Sequence, residues 1–220
     1  MGVIPLTASG NNPTVVTDPR SFDFHGRAVQ IRNFDENQLS GKEGCSNLCY
    51  DLRVGVRYRD HRERGSHTLG RDGTITLLPG SAVVIETMEE VQLPERMFGY
   101  VVPKVGLLQL GLTNTSSKID PGYSGHLLIT VFNAGRNREV LRPAQRFCAM
   151  VLHEVADWAQ VTPHRGGSKA VPGDARLSPW RRVRDLFEEN HAVILFVLVL
   201  LYVIQLLDKV WHFLAPVFHR

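Results

Sequence analysis

Leu48, Tyr50, Leu52, Val54, Val56 and Tyr58 occupy alternate positions, with Asp51, Arg53 and Arg57 among the residues between them. A period of two sends successive side chains to opposite faces, so this stretch predicts a half-buried β-strand. Before residue 178 no sustained helical period competes with that reading. Short β-rich runs recur instead at 28–32, 74–78, 82–87, 98–102, 127–133 and 147–155. Turn residues separate them, Pro79-Gly80 most clearly. Many short strands between turns predict an all-β domain, a sandwich or jelly roll.

The length permits one such domain and an appendage. Net charge is only +3, so charge balance demands no nucleic-acid partner. Cys45, Cys49 and Cys148 are an odd, sparse set that suits a reducing compartment better than a disulfide framework. No second Cys or His pair completes a zinc site around Cys45 and Cys49. No metal ligand is assigned. The first residues lack the basic stretch and apolar core of a secretory signal, and Leu6 argues against myristoylation of Gly2. Residues 60–73 are charged and glycine-punctuated, an exposed loop. Glu86, Glu89 and Glu90 are expected on the surface, as carboxylates usually are.

The C-terminal part has another character. Residues 163–179 are rich in Gly and Pro and read as a linker, with a phosphate-wrapping arm as the other reading. From Ala192 to Leu207 no charge occurs, and Gln205 is the one strongly polar residue. Sixteen helical residues reach about 24 Å against a bilayer core of about 30 Å. Continuation past a snorkelling Lys209 to Leu214 would complete the span. Arg181, Arg182 and Arg184 precede it, which predicts a single-pass transmembrane helix with the β domain cytoplasmic; a hydrophobic helix buried in an oligomer core is the other reading. The expected organisation is an arm and first strand (1–44), the β domain (45–162), the linker (163–179) and the anchor (180–220).

The stretch richest in chemistry is Ile119-Asp120-Pro121-Gly122-Tyr123-Ser124-Gly125-His126, which enters the run at 127–133. Pro-Gly marks a tight turn that presents a carboxylate and an aromatic ring at a strand entrance. With Tyr50-Asp51-Leu52-Arg53-Val54-Gly55, Leu78-Pro79-Gly80, Leu107-Leu108-Gln109-Leu110-Gly111-Leu112 and Leu141-Arg142-Pro143 through Arg146, it forms an ordered series. That series resembles the dCTP deaminase and deoxyuridine triphosphatase superfamily, the deaminase branch more closely, over about residues 45–155. The resemblance implies a distorted jelly roll (the dUTPase-like β-clip) and a homotrimer with sites between subunits. It implies a deoxypyrimidine nucleoside triphosphate as ligand, with Mg2+ bound through its phosphates.

Carried over residue by residue, the resemblance makes Asp120 the sugar-binding and water-orienting carboxylate, and Tyr123 the ring that packs on deoxyribose. Lys104 matches a phosphate-contacting basic position, and Arg146 the basic position of the last motif. Ser116 and Ser117 fall where the pocket is lined. Other positions depart from the pattern. Val105, Gly106 and Gln109 stand where relatives have a Ser-Ser pair and an arginine. Thr130 stands where the deaminases carry a water-activating glutamate. Loss of a positioned general base lowers the rate on the order of 10² to 10⁴. No His-x-Glu with Pro-Cys-x-x-Cys occurs, which excludes zinc-dependent deamination. The residues favour nucleotide binding with weak or no turnover; an active triphosphate hydrolase or deaminase acting through Asp120 stays open beside it. An unrelated β-sandwich on a tail anchor would leave the motif series unexplained.

Overall fold

The computed structural model describes residues 3–8, 13–39, 48–63, 65–70, 73–156, 159–164 and 200–206. The chain divides into two units, Met1–Asp174 and Ala175–Arg220. In the first, the strands are β1 (Val15–Val16), β2 (Val29–Arg32), β3 (Cys49–Asp60), β4 (His67–Thr68), β5 (Ile75–Leu77) and β6 (Ala82–Gln92). They continue as β7 (Met97–Pro103), β8 (Leu112–Asn114), β9 (Lys118–Ile119), β10 (Ser124–Asn133), β11 (Glu139–Leu141) and β12 (Arg146–Glu154). One short helix, α1 (Val105–Gln109), lies between β7 and β8.

The strand legible from alternation is the one that joins the sheets. Cys49–Arg53 of β3 pair with β12, whereas Val54 and Tyr58–Asp60 pair with β6. The register shifts between Val54 and Tyr58, so β3 bends from one layer into the other. Gly55 sits at the bend, where an added Cβ would lie 2.5 Å from the Glu86 carbonyl oxygen. Only glycine admits that approach. The bulge also breaks the alternation: Tyr50, Leu52 and Val54 are fully buried, but Val56 turns outward.

One layer runs β3-β12-β7-β9, and in the other β6 pairs with β2 and β3 on one edge and β10 on the other. Leu52, Val54, Ile85, Val101, Ile129, Phe147, Met150 and Leu152 form the core. Each such side chain contributes about 1.5–3 kcal/mol on burial. The runs on either side of Pro79-Gly80 do not pair with each other. β5 pairs with β11, so that turn carries the chain between sheets. Alpha1 escapes periodicity because five residues make little more than one turn.

The surface expectation for the glutamates is corrected. Glu86 and Glu89 are buried, and Glu90 is partly covered. Beta6 is flanked on both edges, so even its polar positions are enclosed, and arginines accompany them. Arg53 Nε donates to Glu89 at 2.6 Å, Arg57 donates to Glu86 at 2.9 and 2.5 Å, and Arg32 donates to Glu90 at 2.9 Å. Burial works against the charge of Arg53, but the hydrogen bond and charge of Glu89 outweigh it and raise its pKa.

In the second unit, residues 200–206 are helical and exposed. Most of the expected span 192–207 lies outside the described residues. Among the described residues no helix is long and apolar enough to cross a membrane.

Candidate functional site

A cleft of about 220 Å3 opens beside the Asp-Pro-Gly turn, walled by Val101, Ile119, Leu127, Leu128 and Ile129 and edged by Ser117, Lys118, Tyr123 and His164. Tyr123 N–H donates to the Asp120 carbonyl at 3.1 Å, closing a four-residue turn with Pro121 and Gly122 inside it. Gly122 has φ +76°, the conformation that the third position of a type II turn requires. Leu93 N–H bonds to the Tyr123 carbonyl at 2.9 Å, which ties the turn to the end of β6. The Tyr123 hydroxyl donates to the His126 carbonyl, fixing the ring against the core.

Asp120 stands at the mouth of this corner, half-exposed, and Lys118 Nζ lies 2.7 Å from its Oδ1. That hydrogen bond, then the carboxylate's charge, raises the pKa of Lys118. Asp120 itself is not a wall of the cleft. Ser117 lines it and accepts Val101 N–H at 2.8 Å through its carbonyl, while Ser116 is exposed and off the wall.

Lys104 and Arg146 meet elsewhere. Lys104 Nζ lies 2.5 Å from Asp51 Oδ2, and Arg146 Nη1 lies 3.7 Å from the same oxygen. Arg146 Nη2 also donates to the Asn37 carbonyl at 2.6 Å. Gln109 is exposed on α1. None of Lys104, Gln109 or Arg146 lines the cleft. One chain therefore carries two parts: an apolar slot with a polar mouth, and two cations around a buried carboxylate.

Asp51 was missed as a site residue by sequence reasoning. Its position between apolar residues of β3 reads as solvent-facing, yet it is 4% exposed because Lys104 and Arg146 cover it. Thr130 pairs with Val84 across β10 and β6, and its carbonyl accepts Thr115 N–H at 3.0 Å. Its hydroxyl supplies no base near neutral pH. Among the described residues no three His, Cys, Asp or Glu side chains converge to hold a metal ion. The charge of Asp51 is matched by Lys104 at 2.5 Å.

The two-layer β fold thus places a cleft of about 220 Å3 beside the Ile-Asp-Pro-Gly-Tyr turn. The sequence profile of the dCTP deaminase-like family matches residues 23–155, and the chain belongs to that family. It is 37% identical to the dCTP deaminase of Caldivirga maquilingensis over 136 residues, 55% of this chain and 76% of that one. With the dCTP deaminase of Thermococcus gammatolerans it shares 29% over 144 residues, 65% and 88% of the two chains. The match to the Buchnera aphidicola enzyme from Acyrthosiphon pisum is 38% over 76 residues, 34% of this chain and 39% of the relative. Against that protein and the Pseudoalteromonas atlantica relative, the chain spans less than half of their lengths.

Among solved structures, the 2'-deoxycytidine 5'-triphosphate deaminase of Agrobacterium tumefaciens aligns with TM-score 0.44 at 20% identity, covering 54% of this chain and 41% of that one. A dUTPase from phage phi11 of S. aureus, described with a structural Mg(II) ion, aligns with TM-score 0.43 at 17% identity, covering 63% and 97%.

Proposed function

We propose that this chain binds a deoxypyrimidine nucleoside triphosphate and turns it over weakly or not at all. The observation that carries this reading is the cleft of about 220 Å3 lined by Tyr123, Ile119 and Leu127–Ile129 beside the Asp120 turn. Such a volume accepts one pyrimidine ring and excludes little else of that shape. In this reading the base enters the slot between Ile119 and Leu127–Ile129, the sugar lies on Tyr123 near Asp120, and Ser117 lines the entry. The triphosphate, with Mg2+ on its oxygens, meets Lys104, Arg146 and Gln109. These do not line the cleft of their own chain, which supports a homotrimer in which one subunit's cleft meets another's cations. Val105, Leu108 and Leu110 are exposed on and beside α1, an apolar edge that a neighbouring subunit would cover.

Weak turnover follows from the side chains available. Thr130 cannot accept a proton from water near neutral pH, and Val105 and Gln109 supply no charge to phosphate. The second reading, an active hydrolase or deaminase, is favoured by one feature: Asp120 remains half-exposed with Lys118 as its ion-pair partner, able to hold a water. Incubating the full chain in detergent with dCTP and with dUTP, and following ammonia and pyrophosphate, decides between them. Turnover at relatives' rates that disappears in Asp120→Asn would establish the enzyme and overturn the weak-turnover reading.

The apolar run from Ala192 supports a single-pass anchor with the β domain on the cytoplasmic side, since arginines cluster ahead of it.

A further inference from the structure

Lys118 opens β9 and Asp120 follows that strand, with Ile119 between them 1% exposed. Successive side chains of extended backbone point to opposite sides, so Ile119 enters the wall of the cleft while its two charged neighbours share the mouth. Lys118 Nζ lies 2.7 Å from Asp120 Oδ1, and the two side chains are 72% and 41% exposed. Among the described residues β9 pairs with β7 alone, Lys118 standing opposite Tyr100, so the lysine projects from a sheet edge. It is also the one lysine or arginine among those residues that lines the cleft. Lys104 and Arg146 line no part of it and gather on Asp51 instead. The slot's own chain thus supplies one cation, held at its mouth by the carboxylate that the turn presents.

We infer that Lys118 reads a phosphate of the nucleotide whose sugar lies on Tyr123, and that this contact, unlike those of Lys104 and Arg146, comes from the same chain as the slot. The inference rests on the nucleotide-binding reading above and adds a phosphate contact to it. An ammonium has three N–H donors; Asp120 occupies one, and two remain for phosphate oxygens. A hydrogen bond between opposite charges is roughly twice as strong as a neutral one. Lysine meets phosphate as a compact point charge on a flexible stem, so no fixed two-pronged geometry is needed. Asp120 holds the ammonium at the mouth, and less side-chain freedom is lost when a phosphate arrives. An ion pair this exposed contributes little to folding, so stability alone does not account for it. A lysine at a sheet edge can also ward off strand addition, a role in which the carboxylate has no part.

Titration calorimetry of the full chain in detergent with dCTP, repeated at rising salt, tests this. Lys118→Met, which keeps a long stem and loses the charge, should bind dCTP about tenfold more weakly at low salt. Its affinity should also fall less steeply with salt than that of wild type. Lys118→Arg should bind as wild type does. The same loss should recur in an Asp120→Asn chain, whose amide still accepts a hydrogen bond from the sugar, because the lysine acts on phosphate directly. Lys118→Met without effect on affinity or on its salt dependence overturns the inference. So does a loss that vanishes in the Asp120→Asn chain, which would leave Lys118 only a support for Asp120. Both of those results leave the binding reading standing. If wild type gives no binding heat with dCTP or dUTP, the binding reading falls and takes the inference with it.

Discussion

Lys104 Nζ stands 2.5 Å from Oδ2 of Asp51, joining the turn after β7 to the first half of β3. The carboxylate is 6% exposed and the lysine 30%, so water screens this pair only in part. Arg146 approaches the same oxygen at 3.7 Å and links β12 to the pair. Asp51→Asn removes the charge that holds two cations together. It should lower stability by about 1–3 kcal/mol, read as an earlier urea midpoint.

The buried glutamates of β6 should differ from each other. Glu89 is fully buried and accepts both the backbone N–H of Arg53 at 2.9 Å and its Nε at 2.6 Å. Glu89→Ala takes the Nε partner from a guanidinium that is only 14% exposed, leaving it Asp35 at 3.4 Å and the Asn33 carbonyl, and should cost about 3 kcal/mol. Arg57, the partner of Glu86, is 45% exposed and can return to water. Glu86→Gln should therefore cost no more than about 1 kcal/mol. Equal losses in the two variants would contradict this assignment.

Much of the fold was legible before any coordinates. Alternation found β3, and the β-rich runs found β2, β6, β7, β10 and β12. What stayed hidden was decided by contacts distant in sequence. Alternation cannot report that Gly55 lets β3 change sheets, nor that arginines enclose Glu86 and Glu89. Two-residue β9 and five-residue α1 are too short to show a period. In the site, the Asp120 turn could be read because Pro-Gly chemistry is local. The pairing of Lys104 and Arg146 with Asp51 could not, since it joins positions 51, 104 and 146.

Gly122→Ala tests how tightly Pro163 and His164 are seated on the Asp-Pro-Gly turn, where His164 N–H donates to the Pro121 carbonyl at 2.7 Å. At φ +76° an alanine is strained by about 1–2 kcal/mol, and its Cβ would press on His164 and Pro163 at 3.0–3.1 Å. Thermal unfolding should begin lower by several degrees, and the His164 amide should exchange faster than in wild type.

Acid should remove a defined contribution from Asp35. Its pKa is lowered from 3.8 by the hydrogen bond from Gln38 and then by the backbone N–H of Asn37, against burial. A lowered folded-state pKa gives stability that is present above 3.8 and is lost as pH falls through the folded value. The wild type should therefore exceed Asp35→Asn in stability at pH 7, and the gap should narrow as pH falls below 3.8. A gap that stays constant across that window would remove Asp35 from the account.

The C-terminal run predicts a simple fractionation. The full chain should sediment with membranes and need detergent for release, whereas a chain ending at Pro179 should stay in the supernatant. Full-length protein in the soluble fraction would rule out the anchor.

Titration calorimetry of the full chain with dCTP and dUTP, repeated with Tyr123→Ala, addresses the nucleotide cleft most directly. Saturable binding of one nucleotide per chain, weakened tenfold or more when the ring is removed, is the predicted result. Absence of binding in wild type, or an affinity that Tyr123→Ala leaves unchanged, would contradict it.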